Sequence, residues 1–207
     1  MKRIDLKRDL KDLYAPSSGE AELVKVPRFT YIMIDGTGDP TNSQRFTNSV
    51  QALYTASYTL KFIVKKEKKV DYPVMALEGL WWADNMDAFL TGLRSDWKWT
   101  LMILQPTVVT KNLFRKAVKE AFQKKGFASL LDLRLESYQE GLAAQIMHIG
   151  TYAEEGPTIQ KLHEFARDRG LLLRGKHHEI YLSDPRRVSA AKMKTIVRQP
   201  VQRAQRP

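Results

Sequence analysis

The sequence predicts an α+β protein of two tandem strand-helix-strand-strand modules, related by a pseudo-two-fold and leaving a ligand cleft between them. Two observations carry this expectation. "IMIDGTG" at 32–38 and "IMHIGTY" at 146–152 keep Ile, Met, Gly and Thr in register 114 positions apart. Each copy stands before a stretch of helical spacing and then short β-branched or aromatic runs, which makes duplication the better explanation of the match. A sheet covered by helices on one face needs a partner for the other, and clefts between such units suit small molecules.

The elements follow in order. Residues 1–14 read as a short polar helix and "APSSGEAE" (15–22) as a loop. "RFTYIMID" (28–35) is a strand ended by the turn signal "GTGDP". Phe46, Val50, Leu53, Ala56, Tyr58, Leu60 and Phe62 then approximate helical spacing, with Asn42 or Ser43 as cap. Runs 70–82 and 97–106 read as strands separated by a polar connection, 83–96. A helix is expected over 110–126, with Leu113, Ala117 and Ala121 or Phe122 on one face and Gly126 as its stop. The order then repeats: strand 143–152, a helix ended by Gly170, and the strands "LLLRG" and "HHEIYLSDP". The modules are therefore placed at about 25–108 and 140–187, with residues 188–207 as a basic tail.

Composition narrows the chemistry. The 207 residues contain no cysteine, which removes disulfides, thiolate metal sites and cysteine nucleophiles. No run approaches the roughly 20 apolar residues of a membrane span, and the charged start lacks a secretory signal, so a cytoplasmic protein with no membrane partner is expected. Net charge is +11, but seven of those charges fall in the last 22 residues, which contain no acid. A basic end of this kind is more often a solvated strap than a sequence reader, so nucleic acid is not the expected partner. Docking through that end would be a salt-sensitive alternative. Monomer and dimer are both compatible with the pattern.

Strand alternation sends His177, Glu179, Tyr181 and Ser183 to one face and His178, Ile180 and Leu182 to the other. With the apolar trio on the helices, Glu179 and Tyr181 are expected to face the cleft. An exposed Glu179, or one paired with an arginine such as Arg174, is the competing reading. The four tryptophans fall within 19 residues on two runs, suggesting an aromatic wall for a flat ligand, although core packing explains one or two of them. "DGTGDP" lacks the further glycine of a dinucleotide fingerprint and the Gly-Lys-Ser/Thr of a P-loop. His177 and Glu179 find no third metal ligand in the sequence, and no nucleophile elbow occurs, so neither metal nor cofactor is expected.

The segments "YIMIDGTGDP", "YPVMALEGLWW", "WKWTLMILQP", "HHEIYLSDPRR" and "KMKTIVRQPV", in that order, resemble the GyrI-like small-molecule-binding family, and in particular its stand-alone bacterial branch. The resemblance implies tandem modules and multidrug-type binding of hydrophobic, often cationic or aromatic compounds around a Glu on the last strand, here Glu179. Some stand-alone members are cyclopropanoid cyclopropyl hydrolases, which detoxify DNA-alkylating compounds of the yatakemycin type; members fused to DNA-binding domains only sense ligands, and no such pattern occurs in these residues. The resemblance thus suggests Glu179 as a base, its pKa raised by an apolar cleft, and Tyr181 as a hydrogen-bond donor. Trp82, Trp99, Glu78, Tyr152, Met147 and His177 would line the ligand. The alternative is binding without catalysis.

Overall fold

The computed structural model describes residues 1–84 and 94–204, so most of the connection expected at 83–96 lies outside the described residues. The chain forms two compact units, residues 1–9 with 29–138 and residues 10–28 with 139–207. Besides the break at 9/10, the boundaries fall inside two 16-residue strands, β1 (Glu22–Thr37) and β4 (Arg134–Ile149).

In the first unit β1 continues through a turn into α1 (Gln44–Lys68), followed by β2 (Leu77–Trp82), β3 (Lys98–Gln105) and α2 (Lys111–Lys125). The sheet is antiparallel with β3 in the middle: Gly36 faces Trp99 on one side of it, and Trp81 faces Trp99 on the other. Ser43 caps α1, its hydroxyl accepting from the Phe46 N–H at 3.1 Å, and Lys69 ends it with φ 56°. The buried face of α1 differs from the expected one. It consists of Ser49, Ala52, Leu53, Ala56, Ser57, Leu60, Ile63 and Val64, while Tyr58 and Phe62 are exposed. Four of these positions, Ser49, Ala52, Ala56 and Ser57, are small because α1 packs against both α2 and β3, and bulky side chains there would hold the elements apart. Ser49 satisfies its hydroxyl by donating to the Arg45 carbonyl at 2.8 Å. The α2 bounds agree with expectation: Thr110 caps it and Gly126 closes it at φ 68°.

The second unit contains the remainder of β4, then α3 (Gly156–Asp168), β5 (Leu171–Leu173), β6 (His177–Tyr181) and β7 (Lys194–Arg203). Here β7 is the middle strand. β4 runs along one edge of it, with Ile146 opposite Val197, and β6 and β5 share the other edge. This corrects the reading of 188–207 as a tail: residues 195–201 are buried in the sheet. β7 is the counterpart of β3, which puts the end of the second module beyond 187. Its two arginines hid it, since arginine is rarely buried without partners. Arg198, 1% exposed, donates from Nη1 to Glu140 Oε2 at 3.2 Å, from Nη2 to Gln145 Oε1 at 2.8 Å and to the Leu13 carbonyl at 2.6 Å.

Residues opposite one another in an antiparallel pair share a face. One face of the second sheet thus carries Ala144, Ile146 and Val197, which form a core with Leu162 and Ala166 of α3. The opposite face carries Gln145, His178 and Arg198 and is met by the 10–17 segment through bonds to the Asp12 and Leu13 carbonyls. No helix among the described residues is long and apolar enough to cross a membrane.

Candidate functional site

Glu179 lies opposite Val197, so its side chain projects on the α3 side of the sheet. That reverses the expected assignment of faces. His178 and Ile180, taken as the helix-packed residues, lie on the other face and are fully buried. Alternation was right, but the N-terminal segment, absent from the module pattern, covers the face that was expected to be open.

Two neighbours fix Glu179, whose side chain is 16% exposed, and a third ring packs on the first of them. Tyr181 donates its hydroxyl to Glu179 Oε2 at 2.7 Å. His177 Nε2 lies 3.4 Å from Oε1, poorly aligned for a hydrogen bond but close enough for charge interaction. Tyr152 sets its ring edge-on to Tyr181 with centroids 5.5 Å apart, and is itself 44% exposed. The competing partner, Arg174, is engaged elsewhere: it donates to the Val201 carbonyl at 3.1 Å and to the Glu140 carbonyl.

A third neighbour of Glu179, Glu155, was not foreseen. It is the residue before α3, 4% exposed, with Oε1 lacking a hydrogen-bond partner among the described residues. Its carboxyl meets that of Glu179, so the two cannot both ionise cheaply. Burial and then the Glu179 charge push Glu155 up to about 9, against a smaller opposing pull from the Thr195 hydroxyl. For Glu179, burial also pushes upward, but His177, the Tyr181 hydroxyl and the more distant His178 outweigh it and hold the group below the ordinary carboxylate range. The raised pKa expected at Glu179 therefore belongs to Glu155, and the pair stands as one carboxylate beside one neutral acid at neutral pH.

The loop before α3 positions both Tyr152 and Glu155. His148 Nε2 lies 3.0 Å from the Thr151 carbonyl, which can only accept, so Nε2 carries the proton; Nδ1 lies 2.9 Å from the Thr158 hydroxyl. Glu154 Oε2 accepts from the Thr151 N–H and hydroxyl at 2.9 and 2.8 Å, a reciprocal cap that closes the turn. Gly150 enters it at φ 140°, which a side chain rarely adopts. On α3, His163 is held below the ordinary imidazole range by burial and then by His177. The acids "EEGP" before a helix signal a cap in sequence, but a cap contact with β6 is a tertiary fact.

The remaining expected site residues are described each within its own unit. Met147 is buried on the opposite sheet face. Glu78, Trp82 and Trp99 belong to the first unit. There Trp99 is completely buried: it packs 5.3 Å from Phe46 of α1, and a Cβ placed on Gly36 would approach its ring to 2.1 Å. Trp81, 4% exposed, lies beside Phe46 at 6.1 Å and Trp97 at 5.8 Å on that same helix-covered face. Trp99 is thus core rather than ligand wall. Trp82 is half-buried on the other face, shared with the fully buried Glu78. Among the described residues no group of three His, Asp or Glu side chains is placed to hold a metal ion.

Comparison with known proteins agrees with this architecture. An uncharacterized conserved protein from Listeria innocua is 37% identical with a TM-score of 0.89, over 96% of this chain and 100% of that one. Two structures described as hydrolases from Listeria innocua are each 36% identical. One has a TM-score of 0.84 over 96% of this chain and the other 0.86 over 97%, both over 100% of their own length. No curated protein sequence matches. Residues 20–201 match the GyrI-like small molecule binding domain, and the chain belongs to that family.

Proposed function

We propose that this GyrI-like protein is a cofactor-independent hydrolase that opens the cyclopropane of planar, electrophilic, DNA-alkylating compounds and so detoxifies them. The observation that carries the reading is the Glu179 carboxylate, held ionised by Tyr181 and His177 beside the neutral Glu155. General-base chemistry at neutral pH needs such a carboxylate, and a proton donor next to it completes the exchange. The hydrolase description of the two Listeria structures at 36% identity supports the same class of reaction.

In this scheme Glu179 accepts a proton from water as the water oxygen bonds to the cyclopropane methylene carbon. The carbon–carbon bond to the dienone ring breaks, and its electron pair aromatises the ring to a phenolate. Glu155 donates its proton to that oxygen, and the proton gained by Glu179 returns to the pair, so the net change is addition of one water. The Tyr152 and Tyr181 rings at the site suit a flat aromatic body.

The test is mass spectrometry of a cyclopropanoid alkylator incubated with the protein. A water-added, ring-opened product is expected, and Glu179→Gln should reduce turnover by about a hundredfold or more while leaving binding within a few fold. A second reading, binding or sensing of aromatic cations without catalysis, is favoured by the negative charge retained beside two tyrosine rings. Calorimetric binding of such a cation that is lost in Glu179→Gln, with no product from any alkylator, would replace the hydrolase reading with this one.

A further inference from the structure

A groove of about 810 Å³ runs along α2 and the segment that leads into β4, within the first unit. Its floor is apolar: Phe114, Val118 and Phe122 from the helix, Leu131 and Leu133 from the segment, and Leu135 from the start of β4. Leu131 is 64% exposed and Phe122 36%, a considerable apolar area left in water. The charged residues lining the groove are Lys111, Arg115, Lys119 and Arg134, with no acid among them. Arg134 is engaged by Asp35 at 2.9 Å and Glu136 at 2.6 Å. The other three are exposed and make no ion pair among the described residues.

Lys111, Arg115 and Lys119 recur at every fourth position, so they form a line of cations about 6 Å apart along one side of α2. Phe114, Val118 and Phe122 form a parallel apolar line at the same interval. Two parallel lines with a helical repeat are matched by another helix, whose acids at i, i+4 and i+8 meet the cations while its leucines fill the floor. An amphiphile with one carboxylate would leave two of the three cations unmatched. A second copy of this chain is also a poor complement. α1 contains Glu67 as its sole acid, α2 Glu120, and α3 only Glu164 and Asp168.

We propose that this groove is a docking surface for an acidic amphipathic helix of a partner protein, about three turns long, with charge complementarity setting its register. The apolar floor of leucine, valine and phenylalanine distinguishes this occupant from a nucleic-acid strand, whose phosphates would match the cations but leave the floor unused.

The test uses the full chain and a stapled, fluorescein-labelled peptide of about 15 residues with Glu at i, i+4 and i+8 beside a leucine stripe. Fluorescence anisotropy should show saturable binding in the micromolar range, or about 10⁻⁶ M. Each of Arg115→Glu and Lys119→Glu should weaken it by about tenfold, and Leu131→Asp by at least as much. Unchanged circular dichroism and melting temperature would show that these surface variants remain folded. No saturable binding up to about 100 µM would overturn the proposal. So would equal binding of a scrambled peptide of the same composition, or affinity unmoved by both charge reversals. A single-stranded oligonucleotide that bound these cations more tightly than the peptide, without sensitivity to Leu131→Asp, would overturn it in favour of nucleic acid.

Discussion

Tyr181 donates to Glu179 Oε2 at 2.7 Å from two positions further along the same strand, so the pleat itself aligns donor and acceptor. Because the bond favours the ionised carboxylate, its loss should raise the Glu179 pKa. Tyr181→Phe should move the acidic limb of the kcat/KM profile upward by about one pH unit and lower turnover by about tenfold. An unmoved acidic limb would show that the hydroxyl acts on the ligand instead.

Glu155 supplies a pH dependence of stability. Its pKa rises from 4.5 to about 9 on folding, so between those values the native state binds more protons than the unfolded chain. Stability from this group is therefore full below the unfolded value and declines as pH rises through about 9. Glu155→Gln keeps the shape and removes the titration. Relative to the wild type, the variant should melt at a higher temperature at pH 9 than the comparison at pH 5 would suggest. Parallel melting curves across that range would contradict the assignment.

The buried Glu140 has the opposite sign. Burial raises its pKa, but His178 Nδ1, 3.1 Å from both carboxylate oxygens, and Arg198 outweigh this and hold it at about 2. Its contribution is present above the ordinary carboxylate value and is lost as pH falls through about 2. Arg198→Met should cost about 3–5 kcal/mol in urea denaturation, since it leaves a buried charge short of partners. Adding Glu140→Gln should recover part of that loss, and strict additivity of the two changes would refute the coupling.

Gly36 faces Trp99 across the β1–β3 pair with no room for a side chain. Gly36→Ala should destabilise by about 2 kcal/mol, and a second change, Trp99→Leu, should make the added methyl less costly than it is alone. The coupling is read from a double-mutant cycle of denaturation midpoints.

Much of the architecture was legible because it depends on local pattern. The repeat located part of each long strand, expected at 28–35 and 143–152 and found at Glu22–Thr37 and Arg134–Ile149, and the helices after them; Gly126 marked the end of α2, and alternation put Glu179 and Tyr181 on one face. Local pattern did not show β7, because a sequence containing Arg198 and Arg203 reads as solvated until Glu140 and Gln145 appear beside the first of them. Nor did it show which tryptophans are core. Trp99 and Trp81 stand on the helix side only because β2 and β3 pair in that register against α1.

By itself, then, the sequence determined the order of elements, the alternation along each strand and the absence of thiol chemistry, since each is a property of neighbouring residues or of composition. Tertiary structure alone decided which sheet face is covered and which acid keeps its proton. Glu155 and Glu179 are 24 positions apart in the chain, and only their burial in a shared site makes the charge of one a cost to the other.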